Sequence, residues 1–205
     1  MRDVWDNFIV LEGLDGAGTT TQLNAVSALC KEQGRDVFPT CEPTDGPIGT
    51  IIRRALRKEL MMSQNQLALL YAADRDEHVR TMAQALKEGK LVVSDRYLFS
   101  SLAYQAVDVP YDFVEGLNSS YPLPEIVFFI DTPVEECIRR IESRGKDKEL
   151  FEIQSFLEKV KRNYERSFSD LPSSSKCIRL DGKLPIEVIK GQITRFLQNL
   201  GKISG

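Results

Sequence analysis

The sequence has few of the residues on which several classes of protein depend. Histidine occurs once, at His78, so we expect neither a histidine-based triad nor a metal site of several histidines. The four cysteines are far apart and form no C-x-x-C pair, which argues against a disulfide framework or a zinc site and favours a reducing cytoplasm. The net charge is only −3, so we expect no nucleic-acid partner, and any anion site must come from local arginines and lysines.

Long apolar runs are also missing. The polar start MRDVWDN is followed by an apolar run, Phe8–Leu11, that is too short for a signal peptide or a membrane span, so we expect no membrane partner. The chain has 205 residues, of which 42% are apolar and 28% are charged. This size is sufficient for a sizeable core, and we predict a single domain over residues 1–205.

Short apolar runs, separated by long segments with helical spacing, predict the fold class. They are Phe8–Leu11, Leu91–Ser94, Ile126–Ile130 and Cys177–Leu180, with a weaker run at Asp36–Pro39. Alternation of buried strands and helices predicts an α/β fold with a mostly parallel sheet.

Helix-boundary signals agree with this alternation. Ser63–Gln66 and Thr132–Glu135 have the pattern of capping boxes, the second with Pro133 at the first helical position. Gly34 and Gly89 are placed where helices should end before the second and third strands.

The stretch EGLDGAGTTTQ resembles a phosphate-binding loop, but it departs from the pattern G-x-x-x-x-G-K-[ST]. Gly13 and Gly18 have the required spacing, and Thr20 occupies the hydroxyl position that binds Mg²⁺. The lysine position is occupied by Thr19. Glycines between a strand and a helix allow backbone N–H groups to surround an anion. The alternative is a glycine-rich turn that binds no ligand.

Two further groups of residues suggest a nucleotide site. Asp95 and Arg96 follow the third strand, where ligands bind in parallel sheets, and they suit metal-bound water and phosphate; the alternative is a surface ion pair. Tyr71 and Arg75 share one helix face and suit a planar base; the alternative is a core-edge tyrosine beside a solvated arginine. We interpret His78 as a structural residue on the surface of that helix.

A basic segment follows the fourth strand. Its glycine-broken part, Ser143–Lys148, is predicted to be mobile and to close over a triphosphate; the alternative is a solvated charged loop. The cations of the segment are Arg139, Arg140, Arg144, Lys146 and Lys148.

Six segments in one order carry a family resemblance. They are EGLDGAG, EPTDGPIGTIIR, LLYAADRDEHV, ALKEGKLVVSDRYLFSSLAYQ, PEIVFFIDTPVEECIRRIESRG and FLEKVKRNYERS. Together they resemble the thymidylate kinases of the bacterial type, from about Phe8 to Leu200. The resemblance implies the fold of P-loop nucleoside monophosphate kinases, a five-stranded parallel sheet flanked by helices, with a mobile lid at about 143–152. It also implies transfer of the γ-phosphoryl group of MgATP to dTMP, in dTTP synthesis, by a cytoplasmic homodimer.

The resemblance further implies a role for individual residues. Asp15, Arg96 and the lid residue Arg144 would be catalytic. Mg²⁺ would bind at Thr20 and Asp95. The ATP phosphates would be held by Gly13, Asp15, Gly16, Ala17, Gly18, Thr19, Thr20 and Thr21. The nucleotide dTMP would be bound by Asp15, Arg53, Tyr71, Arg75, Arg96, Ser100, Tyr104 and Gln105.

Two positions depart from the family pattern. Thr19 replaces the loop lysine, and Cys41 replaces an arginine that helps to bind the monophosphate. Loss of one preorganised donor commonly costs roughly 3 kcal/mol, which weakens an enzyme without silencing it. We therefore expect an active kinase in which lid residues supply the missing charge. One alternative is a nucleotide-binding pseudo-kinase, which Thr19 and Cys41 would favour. The other is a kinase for another pyrimidine monophosphate, since Tyr71 adds a hydroxyl near the base.

Overall fold

A computed structural model describes residues 2–143 and 150–204 of the chain. Its centre is a sheet of five parallel strands in the order β2-β3-β1-β4-β5. This confirms the predicted α/β class. The strands are β1 (Val4–Gly13), β2 (Val37–Cys41), β3 (Leu91–Asp95), β4 (Leu123–Asp131) and β5 (Lys176–Asp181).

Helices connect the strands and cover both faces of the sheet. In the described part of the chain they are α1 (Thr19–Glu32), α2 (Pro47–Leu56), α3 (Gln64–Lys87), α4 (Leu98–Tyr104), α5 (Tyr111–Asn118), α6 (Val134–Glu142), α7 (Leu150–Ser169) and α8 (Ile186–Asn199), with a short 3-10 helix at Gln105–Val107. None of them is long and apolar enough to cross a membrane.

Alternation along β1 explains the two cores. Phe8 and Val10 point into a large apolar cluster with α3 to α7, whereas Ile9 and Leu11 point into a second cluster with α1 and α8. Successive side chains of a strand face opposite sides of the sheet, and a parallel sheet is buried on both sides. The strands therefore appear in the sequence as continuous apolar runs, because both faces of each strand are buried.

The strand register brings the predicted site residues to one edge of the sheet. β1 lies between β3 and β4, with Leu11 opposite Asp95 and Gly13 opposite Ile130. The loop that follows Gly13 therefore lies beside the carboxyl end of β3, the region in which parallel sheets bind ligands.

The boundary signals are confirmed with one exception. Ser63 and Gln66 form a reciprocal capping box, and Gly34 and Gly89 follow helix ends with φ of 70° and 78°. The predicted box at Thr132 is wrong, because α6 begins after Pro133 without a side-chain cap. The buried Thr132 side chain instead packs against Gly182, where a Cβ atom would stand 1.8 Å from the hydroxyl oxygen.

Candidate active site

The loop between β1 and α1 has the backbone shape that a phosphate cradle needs. Gly16 and Gly18 have φ of 88° and 101°, a region that favours glycine. A Cβ atom on Gly16 would stand 2.8 Å from the carbonyl oxygen of Cys137. α1 begins at Thr19, and the first N–H groups of a helix have no partner within the helix. Every residue assigned to the ATP phosphates thus lies at the end of β1, in this loop or in the first turn of α1.

Thr20 and Asp95, the two predicted metal ligands, are in contact. The hydroxyl of Thr20 donates a hydrogen bond to Oδ2 of Asp95. Oδ1 of Asp95 is buried and has no hydrogen-bond partner among the described residues. A hydroxyl beside an unsatisfied carboxylate oxygen fits Mg²⁺, which takes one or two protein oxygens and completes its shell with phosphates and water.

Asp15 and Arg96 form the centre of the site. Nη2 of Arg96 lies 2.7 Å from Oδ1 of Asp15, and the Asp15 N–H donates to the hydroxyl of Tyr104 at 2.8 Å. The Arg96 guanidinium also lies over the Tyr104 ring, 5.1 Å from its centre. Burial disfavours the charged form of Arg96 and so lowers its pKa. The tyrosines and carboxylates around the guanidinium raise the pKa by more, so that it lies well above its ordinary value. Arg96 is therefore a permanent positive charge at the carboxyl edge of the sheet.

Tyr71 lies beside the same pair. Burial raises the pKa of Tyr71 to about 12, and the charges of Arg96 and Asp15 act on its hydroxyl. Gln105 lies in the 3-10 helix that follows Tyr104, and its Oε1 atom is buried without a hydrogen-bond partner in the described part of the chain. A bound molecule that offers an N–H group would satisfy this acceptor.

Arg75 lies deeper than the sequence suggested. It is 1% exposed and donates to Glu42, Ser101 and Asn118 with four of its five N–H groups. One Nη1 hydrogen is left without a partner among the described residues. The alternative of a solvated arginine is therefore wrong, because the guanidinium is paired with the buried carboxylate of Glu42.

His78 supports the same carboxylate. Its Nδ1 atom lies 2.9 Å from Oε1 of Glu42, and its Nε2 atom lies 2.7 Å from the Thr40 hydroxyl. His78 is structural, as predicted, but its surface position is wrong, since it is only 4% exposed. Glu42, at the start of the loop after β2, therefore pairs with both Arg75 and His78 of α3 in the protein interior.

Arg53 is held by the loop that follows Glu42. Its Nη1 atom donates to the carbonyl of Pro43, and its Nη2 atom donates to Thr44 and pairs with Asp45. Cys41, at the arginine position of the family pattern, has its thiol 3.7 Å from the Pro43 carbonyl. Burial, followed by the charge of Asp95, raises the pKa of this thiol.

The structure adds an arginine contact to the phosphate loop. Nη1 of Arg140 lies 3.3 Å from the carbonyl oxygen of Gly16, and Nη2 donates to the carbonyl of Gly182 at 2.9 Å. Thr19 is buried at the start of α1. Arg144, Lys146 and Lys148, the lid cations that we expected to replace the lysine, lie outside the described residues.

Sequence reasoning missed Glu12 and Tyr164. Glu12 is a fully buried carboxylate, and the hydroxyl of Tyr164 donates to it at 2.8 Å. Tyr164 belongs to α7 and also lies 3.2 Å from the carbonyl oxygen of Gly13. A signal existed for Glu12, since a charge inside the apolar run FIVLEG must be compensated where the strand is buried.

A parallel α/β sheet with a glycine loop after β1, a hydroxyl–carboxylate pair and an arginine at its carboxyl edge defines a phosphate-binding protein of the P-loop kinase class. The family model described as thymidylate kinase matches residues 11–193. This match covers most of the chain and includes the whole site.

Individual relatives agree with the family model. A protein of Treponema pallidum (strain Nichols) with a thymidylate kinase name is 42% identical over 207 residues, which cover 98% of this chain and 99% of that protein. A "Probable thymidylate kinase" of Pyrococcus abyssi (strain GE5 / Orsay) is 42% identical over 77% of this chain and 80% of its own length. Another of that name, from Thermococcus kodakarensis, is 38% identical over 94% and 98%. The chain belongs to the thymidylate kinase family, and it is therefore an enzyme, a nucleotide-binding kinase with the P-loop nucleoside monophosphate kinase fold.

Proposed function

We propose that this chain transfers the γ-phosphoryl group of MgATP to dTMP, giving dTDP and ADP. An oxygen of the dTMP phosphate attacks the γ-phosphorus, and the bond from that phosphorus to the β–γ bridging oxygen breaks as ADP leaves. The attacking oxygen is already anionic, so neither a strong base nor a covalent enzyme intermediate is needed. Family membership supports this reaction, and it supports neither the pseudo-kinase nor another acceptor.

One observation carries the proposal at the level of chemistry. The pair Thr20–Asp95 and the pair Asp15–Arg96 lie side by side at the mouth of the phosphate loop. Thr20 and Asp95 would hold Mg²⁺, which when bound neutralises charge on the phosphates. Arg96 would fork onto the phosphate of dTMP, and the loop N–H groups would hold the ATP phosphates. Asp15 would contact the sugar hydroxyl or the metal shell.

The remaining residues would bind the nucleoside. Tyr71 would stack on thymine, and the Nη1 hydrogen of Arg75 that no described residue accepts would reach a thymine carbonyl. The unsatisfied acceptor of Gln105 suits a base N–H group. Tyr104 would pack against the deoxyribose. Ser100 and Arg53 are the other residues that we propose bind dTMP. Arg53 would bind the phosphate after its Nη1 atom gives up its hydrogen bond to the Pro43 carbonyl.

The proposal also includes the domain organisation, the lid, the location in the cell and the oligomeric state. We assign residues 1–205 to one domain, with the lid at about 143–152 and Arg144 at the transferring phosphoryl group. We propose that the protein is located in the cytoplasm, since its four cysteines are free thiols, as is usual in a reducing compartment. The proposed assembly is a homodimer.

The test is ADP formation with MgATP and dTMP, with dUMP and other pyrimidine monophosphates as competing acceptors. We expect dTMP to be preferred, the rate to vanish when Mg²⁺ is chelated, and Asp95→Asn to lower kcat by about a hundredfold. Asp112→Asn, an exposed carboxylate on α5, is the matched control and should leave kcat unchanged.

Each other outcome has a meaning. Tight binding of both nucleotides without ADP formation would identify a pseudo-kinase. A faster rate with dUMP would change the acceptor but keep the chemistry. Full activity of Asp95→Asn would remove Asp95 from the metal site.

A further inference from the structure

Glu12 is completely buried, and all its contacts lead toward the site. Oε1 accepts hydrogen bonds from the N–H groups of Tyr97, at 2.9 Å, and Ser100, at 3.3 Å. Oε2 accepts hydrogen bonds from the hydroxyls of Ser100, at 2.6 Å, and Tyr164, at 2.8 Å. One carboxylate on β1 thus joins α4 to α7.

The first two bonds replace a helix cap. α4 begins at Leu98, and its N-cap residue Tyr97 makes no side-chain hydrogen bond to the helix. The first N–H groups of a helix need external acceptors, and a negative charge is favourable there. Glu12 supplies both from the neighbouring strand: it is the acceptor for the Tyr97 N–H, and it shares the Ser100 N–H with the carbonyl of Tyr97, which lies 3.0 Å from that nitrogen.

The turn before this cap contains Arg96 in an unusual conformation. Its φ of 70° lies in the left-handed region, which side chains other than glycine rarely adopt. The Arg96 N–H donates to the Leu11 carbonyl at 2.9 Å, and the Ser94 hydroxyl donates to the Arg96 carbonyl at 2.7 Å. With Glu12 bonded to the next residue, β1 and the end of β3 hold this turn on both sides. Such a conformation persists only where its surroundings enforce it.

The second pair of bonds acts on the Arg96 side chain. Nη1 of Arg96 lies 3.2 Å from the Ser100 hydroxyl oxygen and 3.5 Å from that of Tyr164. Both hydroxyls donate their hydrogens to Glu12, so their lone pairs are available to the guanidinium. The negative carboxylate therefore sets the direction of the hydrogen bonds that the Arg96 guanidinium donates to these two hydroxyls.

We propose that Glu12 is a positioning residue that sets the backbone and the guanidinium of Arg96 for the monophosphate of dTMP. This inference rests on the proposed function. It predicts that charge, and not shape, is the essential property of Glu12. In Glu12→Gln the amide group either donates to the two hydroxyls, and turns their hydrogens toward Arg96, or faces the N–H groups of α4 as a second donor. Either orientation leaves donors facing donors.

The test compares Glu12→Gln with Glu125→Gln. Glu125 also accepts a main-chain N–H, from Asn7 at 2.9 Å, and pairs with Lys202, but it lies at the opposite end of the sheet. We expect Glu12→Gln to raise the KM and the Kd of dTMP at least about tenfold. These measurements are made at pH 8, where Glu12 is ionised, and the KM of ATP should stay close to that of the parent. Glu125→Gln should leave both KM values unchanged.

A role that is only structural gives a different pattern. In that case Glu12→Gln lowers the melting temperature and leaves the KM of dTMP within twofold of the parent, which overturns the proposal. Tyr164→Phe removes one acceptor and should raise the KM of dTMP as well. Its effect should not add to that of Glu12→Gln, because both changes break one relay; full additivity also speaks against the proposal.

Calorimetry with dTMP alone separates this inference from the proposed function. A parent protein that binds dTMP but forms no ADP contradicts the kinase reaction, and a lower affinity in Glu12→Gln still supports the positioning role. Equal dTMP affinity in an active parent and in Glu12→Gln contradicts the positioning role and leaves the kinase reaction intact.

Discussion

Glu12 shows how a single buried carboxylate connects the site to stability. Burial raises the pKa of Glu12 from 4.5 to about 7, and the hydrogen bonds from Ser100, Tyr164 and Tyr97, together with the charge of Arg96, offset only part of that effect. In the folded state the carboxyl of Glu12 is therefore protonated below about pH 7 and ionised above it, so the hydrogen bonds that position Arg96 are complete only above that pH. The resulting stabilisation is complete below pH 4.5, where both states are protonated, and is lost as the pH rises through 7.

We therefore predict that the stability of the parent falls relative to that of Glu12→Gln between pH 4.5 and pH 8, by up to about 3 kcal/mol. Glutamine does not titrate, so the difference isolates this one group. Urea unfolding of both proteins at several pH values measures it. Parallel stability curves over that range would show that Glu12 titrates near its ordinary pKa.

At the scale of elements, the short helix α4 depends on its neighbours. It spans only Leu98–Tyr104, and a helix of this length is not stable alone in water. Its start is capped by Glu12, and its inner face packs against α7 in the larger core. Because α4 carries Ser100 and Tyr104, the substrate side of the site inherits its geometry from β1 and α7.

α3 begins with a cap of its own. The Ser63 hydroxyl accepts the Gln66 N–H at 3.2 Å, and the Gln66 side chain accepts the Ser63 N–H at 2.8 Å. We predict that Ser63→Ala destabilises the protein by about 1 kcal/mol and lowers the melting temperature by about 2–4 °C, as scanning calorimetry would show. The dTMP affinity should be unchanged, since Tyr71 and Arg75 lie two to three turns further along the helix.

Ser169→Ala is the control for this prediction. Ser169 is an exposed serine at the end of α7, and its hydroxyl donates to the carbonyl of Arg166 rather than accepting an N–H. We expect its melting temperature to match that of the parent. An equal loss in both variants would show that the capping box does not stabilise α3.

At the scale of the whole molecule, exposed apolar side chains on and between α2 and α3 bear on the proposed homodimer. Leu56, Met61 and Leu69, on or between these helices, are 56%, 93% and 50% exposed. A contiguous exposed apolar patch marks an interface between proteins, and we locate the proposed dimer contact at these three residues. We predict that sedimentation gives twice the mass of one chain, and that Met61→Glu with Leu69→Glu shifts the protein toward the monomer.

A matched control uses another exposed apolar residue. Val188→Glu on α8 places a charge on a surface away from α2 and α3, and it should leave the dimer intact. If the parent sediments as a monomer, the homodimer proposal is wrong. If only Val188→Glu dissociates the protein, the dimer forms through a different face.

Local signals were sufficient for much of the fold. Apolar runs gave the five strands because a parallel sheet buries both faces of each strand, and φ above zero at Gly34 and Gly89 is available to glycine at little cost. The box at Thr132 failed because Pro133, and not Thr132, is the N-cap residue of α6, while the Thr132 side chain is buried beside Gly182. A pattern of four residues contains no information about such a distant neighbour.

The sequence by itself determined the class of fold, the phosphate loop after β1 and the residue types of the site, because periodicity and glycine spacing act over a few residues. Only the tertiary structure decided that Arg75 is buried on Glu42, that His78 supports the same carboxylate, and that Glu12 reaches across to α4 and α7. These contacts join residues far apart in the chain. Their energies depend on burial and on the direction of hydrogen bonds, which are defined only once the sheet and its helices have assembled.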